Sequence, residues 1–259
     1  MTTSTRSVGP PSGPSTRAAR RPAVLWAAEF AATALMLLAM TLLFRHLFHP
    51  GAWLHARLAS GDRRLLADAL VSGAVVAALV ASPLGRVSGA HMNPAVTVAL
   101  WAARHLPGRQ VPLYLSAQLV GSATGTGVGR FLAGPAVAHP DVNYALLKPV
   151  GEVPGAVVAI GEAIATGILL VVVVRQARDP ALGGAAPVTV GGLLAALIAC
   201  TAHGTGGSLN PAQQFGPWLL AGAPGSLWPY VVGPLAAALV IGAAAAALTG
   251  PADRDRFRW

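Results

Sequence analysis

Ser88-Gly-Ala-His-Met-Asn-Pro-Ala-Val-Thr97 and Asn210-Pro-Ala-Gln-Gln-Phe-Gly-Pro217 share one triplet, Asn-Pro-Ala, at two distant places in the chain. Each triplet opens an apolar segment, 94–103 and 211–221. Both are too short to cross a bilayer, which takes about 20 helical residues. The local chemistry is that of a helix start. Asn is a favoured N-cap, and Pro suits the first helical position because its missing N–H would have no partner there. Gly-rich stretches precede both triplets, Ser88-Gly89-Ala90-His91 and Gly204-Thr205-Gly206-Gly207-Ser208. Glycine permits the backbone angles that a chain turning back inside a membrane needs. The spacing predicts two re-entrant half-helices.

Working outward, six apolar runs flank these segments: 23–44, 65–84, 111–128, 153–174, 185–202 and 228–248. Each is long enough to span. The whole chain is 54% hydrophobic and 10% charged, with a mean hydropathy of +0.60. A soluble domain carries about a quarter charged residues. Inside a bilayer only helices or closed barrels satisfy the backbone, and the period-2 alternation of barrel strands is absent. The expected fold is an all-α membrane protein with six transmembrane helices and two half-helices. Gly and Ala dominate the runs, so the helices should pack closely.

The chain also repeats. Glu29-Phe-Ala-Ala-Thr33 lies in the first run and Glu162-Ala-Ile-Ala-Thr166 in the fourth. Each half reads as a Glu-x-x-x-Thr helix, a second helix, Asn-Pro-Ala, and a third helix. Three spans per half is odd, so the second copy enters with inverted topology. The expected layout is a cytoplasmic tail 1–22, a first repeat 23–134, an outer loop 135–152, a second repeat 153–249 and a tail 250–259. With both termini inside, the cytoplasmic side holds twelve of the 18 Lys and Arg and the outer side six. The positive-inside rule favours that orientation, in the plasma membrane. The net charge of +9 is spread over loops and tails, not along an amphipathic stripe, so nucleic acid is not an expected partner.

Inversion places two helix N-termini end to end near the bilayer midplane, each worth about +0.5 charge. That field opposes cations and protons. Asn93 and Asn210 can each offer an amide N–H to a passing oxygen.

These two stretches resemble the signatures of the major intrinsic protein family, the aquaporins and aquaglyceroporins. Ala117-Gln118 with Gly121, and Pro229-Tyr230 with Gly233-Pro234, are similar to further family positions. The resemblance covers about Trp26 to Leu248. It implies a right-handed six-helix bundle, a homotetramer with one pore per protomer, and passage of water or small neutral solutes without a cofactor. It implies a pore midplane of Asn93, Pro94, Ala95, Asn210, Pro211 and Ala212. Glu29 and Glu162 match positions that orient the half-helix loops, and His91 sits in the first signature, as scaffold or pore-mouth gate.

One departure bears on selectivity. Family members usually place Arg directly after the second Asn-Pro-Ala; this chain has Gln213. By the same correspondence the other three filter positions are Gly73, Ile198 and Gly207. Two glycines, an aliphatic wall and an amide imply a wide, uncharged filter. Such a filter suits solutes larger than water: glycerol, urea, or metalloid hydroxides such as arsenous acid.

Little else carries chemistry. His46, His49 and His55 lie in the first outer loop without a carboxylate or Cys shell, so no metal is expected. His203 falls near the filter and could line the pore. Cys200 reads as a small buried hydrophobe. Trp26, Trp218, Trp228 and Tyr230 suit interface anchoring. No nucleophile–base pair or phosphate loop points to an enzyme. The rival readings are an ion-coupled transporter, for which Glu29 and Glu162 would be the titratable groups, and a non-conducting structural membrane protein.

Overall fold

The structure, a computed structural model, describes residues 21–248; the expected tails lie almost wholly outside them. Six long helices and two short ones alternate as the repeat requires. The first half comprises α1 (Pro22–Phe48), α2 (Gly61–Ala81), the half-helix α3 (Pro94–Ala102) and α4 (Val111–Ala133). The second comprises α5 (Gly155–Arg178), α6 (Ala186–Thr205), the half-helix α7 (Pro211–Leu220) and α8 (Trp228–Ala247). Two short helices, Trp53–Arg57 and Pro83–Ser88, sit in the connections flanking α2.

Five of the long helices are apolar enough to cross a membrane by composition alone: α1, α2, α5, α6 and α8. The sixth, α4, has the length, 23 residues, but buries Gln118, Ser122 and Thr126 completely. A polar stripe lowers its hydropathy because that stripe faces protein, not lipid.

Small residues decide the packing. On α4, Gly121, Gly125 and Gly129 recur every four residues and so share one face. Added Cβ atoms there would meet α1 at the Phe30 carbonyl (2.7 Å), the Ala34 carbonyl (2.2 Å) and Thr41 Cβ (2.6 Å). The second half does the same, with Gly233 of α8 against the Ala159 carbonyl of α5 at 2.3 Å. The half-helices cross over. Gly242 of α8 lies against Ala99 and Ala102 of α3, and Gly216 of α7 against Ser122 of α4. Each half-helix is therefore held by the last helix of the opposite repeat, which locks the two halves together.

The central contact is α2 with α6. A Cβ on Gly73 would stand 2.3 Å from the Gly191 carbonyl oxygen, and one on Gly191 would stand 2.4 Å from the Gly73 carbonyl. The obstacle is backbone, which cannot move aside. Gly73→Leu should therefore cost upward of about 2 kcal/mol through overpacking. Thermal unfolding in detergent checks this; an unchanged midpoint would contradict the packing.

Candidate functional site

The two half-helices meet head to head. Asn93 and Asn210 cap them, their Oδ1 atoms accepting from Ala95 N (2.8 Å) and Ala212 N (2.9 Å). Each side-chain amide also ties to the other loop. Asn93 Nδ2 donates to the Leu209 carbonyl at 2.8 Å, and Asn210 Nδ2 donates to the Met92 carbonyl at 2.9 Å. An amide nitrogen carries two hydrogens. One is spent across the junction, which leaves one for a solute. With 9 and 10 residues, α3 and α7 together equal about one bilayer span at 1.5 Å per residue.

The loops leading into the caps are strained, and two buried carboxylates hold them. Met92 and Leu209 adopt positive φ, 50° and 53°, which favours glycine and costs a larger residue about 1–3 kcal/mol. Glu29 accepts from Met92 N, from His91 N at 3.2 Å and from Gln118 Nε2 at 2.8 Å. Glu162 accepts from Leu209 N at 2.6 Å, Ser208 N at 3.0 Å and Thr205 Oγ1 at 2.7 Å. Both carboxylates are fully buried.

The duplication extends to two tyrosines, and Tyr230, expected as an interface anchor, is buried instead. Tyr114 Oη donates to the Ser88 carbonyl (2.6 Å) and Tyr230 Oη to the Thr205 carbonyl (2.7 Å). Ser122 of α4 donates to the Ala212 carbonyl and accepts from Gly216 N. His91 stacks on Tyr114 and faces Thr97 Oγ1 at 3.1 Å, so its ring is fixed.

A cavity of about 330 Å3 runs along this junction. Asn93, Asn210, His91, Ile198, Gly207 and Gln213 line it, as does one face of α2. Pro94, Ala95, Pro211 and Ala212 are buried behind the caps. Gln213 has its backbone N–H on the Asn210 carbonyl (3.0 Å), and its side chain is buried at the cavity wall. Gly207 adopts φ 68° with Ile198 Cα directly beneath it.

Gly73 does not line this cavity. It is turned onto Gly191 of α6, and the lining residues of α2 are Asp68, Ser72, Val76 and Val80. They recur every four positions, one helical face. Spacing from the motif found the right turn of α2 but the neighbouring side. Asp68, which the sequence reading did not weigh, also lines the cavity. Glu29 and Glu162, by contrast, do not.

Two other expectations change. His203 is exposed and pairs with Asp62 at 3.2 Å, bridging the start of α2 and the end of α6 instead of lining the pore. Cys200 is exposed, not buried.

This geometry defines a membrane protein with a pore through an inverted repeat. Residues 20–249 match the family described as Major intrinsic protein. The chain is 38% identical over 180 residues to the probable aquaporin AqpM of Archaeoglobus fulgidus, covering 67% of this chain and 71% of that protein. It is 36% identical over 172 residues to aquaporin NIP1-1 of Oryza sativa subsp. japonica, covering 66% of this chain and 58% of that one. Its fold superposes on the aquaglyceroporin from Plasmodium falciparum with a TM-score of 0.73 at 21% identity, covering 90% of this chain and 99% of that one. The chain belongs to the major intrinsic protein family. It is a multi-pass membrane channel for passive passage of water or small neutral solutes, not an enzyme.

Proposed function

We propose that this channel passes neutral solutes larger than water: glycerol, urea, or metalloid hydroxides such as arsenous acid. The observation that carries this reading is the outer cavity wall. Ile198, Gly207 and Gln213 line it, and no Lys or Arg lines the cavity among the described residues. A missing cation and a side-chain-free Gly207 leave width, and Gln213 supplies neutral donors. Flux is passive. Solute influx into proteoliposomes should rise linearly with the gradient and ignore Na+. Saturable, Na+-dependent influx would favour the transporter reading instead.

Cation exclusion then rests on the midplane. Two helix N-termini face each other there, and loss of an outer Arg leaves that field in place. Proton flux should stay near that of empty liposomes in a pH-gradient dye assay; rapid dissipation would contradict it. The functional unit is a homotetramer in the plasma membrane with both termini cytoplasmic, its two pore repeats running 23–134 and 153–249. Family membership and the apolar exposed side chains of α5, such as Ile160, Ile164 and Ile168, support this assembly.

A further inference from the structure

Asp68 stands inside an apolar helix, at 4% exposure, with one hydrogen-bond donor: Ser72 Oγ at 3.2 Å from Oδ1. The side chain lines the cavity. It is the one acid among the described residues that line the cavity, and the lining beside it includes the apolar Met40 and Val76. A carboxylate taken out of water needs partners, and one hydroxyl is a poor set.

Its depth in the pore follows from helix register. α2 and α6 pack antiparallel: Asp62 meets His203, and Gly73 meets Gly191 and Ala195. The same register sets Asp68 level with Leu197 and Ile198. Its neighbour Ala69 packs in one buried cluster with Ile198 and Leu209. A Cβ added at Gly207 would stand 3.3 Å from Ile198 Cα, so the two residues are neighbours. Asp68 thus belongs to the ring that Ile198, Gly207 and Gln213 form at the outer wall.

We propose that Asp68 is a specificity-determining residue, accepting a hydrogen bond from a solute hydroxyl or amide N–H while Gln213 serves the solute's oxygen. The pore then favours neutral solutes that donate as well as accept, the chemistry of polyols and amides. This rests on the wide-channel reading above. It deepens that reading by replacing a merely permissive opening with a positive contact. A carboxyl oxygen that accepts and an amide that donates are together complementary to a hydroxyl, which does both. Water passes with or without the contact, since it finds other partners along the pore.

The test is stopped-flow light scattering on proteoliposomes, reading water, glycerol and urea permeability for wild type, Asp68→Asn and Asp68→Ala. Loss of the hydrogen bond to the carboxyl oxygen should lower the solute-to-water permeability ratio by about tenfold in Asp68→Ala, and less in Asp68→Asn. Solute permeability should fall more than water permeability, and the ratio of the two reads the solute contact. Asp68→Asn has the same shape and no charge to bury, so it decides the matter should Asp68→Ala fail to fold. An unchanged ratio in the folded variants overturns the proposal while leaving the wide channel standing. So does a parallel fall of water and solute, which would make Asp68 a shaping residue. Wild-type liposomes that pass water and no solute overturn the wide-channel reading and this proposal together.

Discussion

Gln213→Arg should cut glycerol permeability of the reconstituted channel by about tenfold or more, a barrier increase of roughly 1.4 kcal/mol, while water permeability changes far less. Gln213 sits at the cavity wall directly after the second cap, with its backbone anchored to Asn210. The longer Arg side chain has nowhere to go but the lumen, because the residues behind it, Ala212 and Gln214, are fully buried. Its fork also finds a carboxylate on the same cavity, Asp68, and Arg pairs with carboxylates through two parallel bonds. Such a pair would close the opening to anything broader than water. Solute re-swelling after an osmotic step measures it. Re-swelling as fast as wild type would mean that position 213 is not at the constriction.

Glu162→Ala should abolish flux and lower the unfolding temperature in detergent by about 10 °C or more. Two backbone donors, Ser208 N and Leu209 N, lose their acceptor, and Thr205 Oγ1 is left with the Thr201 carbonyl alone. A buried donor left without a partner costs about 1–3 kcal/mol, so the sum approaches the net stability of a typical domain, about 5–15 kcal/mol. The positive φ of Leu209 and the cap at Asn210 lose their anchor together, and with them the bond from Asn210 to Met92. Glu162→Gln keeps the shape but turns one acceptor into a donor facing donors, so it should fall between. Wild-type melting and flux in Glu162→Ala would show that the carboxylate is not what holds the loop.

The fold was legible because its strongest signal is local and doubled. Asn-Pro-Ala after Gly-rich turns specifies a capped half-helix from chemistry within a few residues, and the half-helices begin at Pro94 and Pro211 as expected. Span lengths were equally readable, although α1 and α5 run past their apolar cores into Arg45 and Arg178. Duplication marked Glu29 and Glu162, but their partners lie 62 to 89 residues away for Glu29 and could not be read from periodicity.

The misses share a cause. Which side of a lipid-spanning helix faces a lumen depends on its neighbours, and two polar residues in the run 65–84, Asp68 and Ser72, do not say by themselves whether they face a lumen or another helix. Gly73 and Ser72 are adjacent; only the close approach to Gly191 shows that Gly73 belongs to the helix interface. Asp68 went unweighed for the same reason. An acid inside the run 65–84 gains meaning once its turn of α2 is seen to point at the cavity. Cys200 was read as buried because apolar runs suggest a core, whereas the outer face of α6 is open.

The most direct test of a wide neutral-solute pore is stopped-flow light scattering of wild-type proteoliposomes challenged with glycerol and with arsenous acid, against sucrose as an impermeant osmolyte. The proposed wide pore predicts fast shrinkage in all three, followed by rapid re-swelling with glycerol or arsenous acid alone. Fast shrinkage with no re-swelling for either solute would make this a water channel and would contradict the reading of Ile198, Gly207 and Gln213 as a wide outer wall.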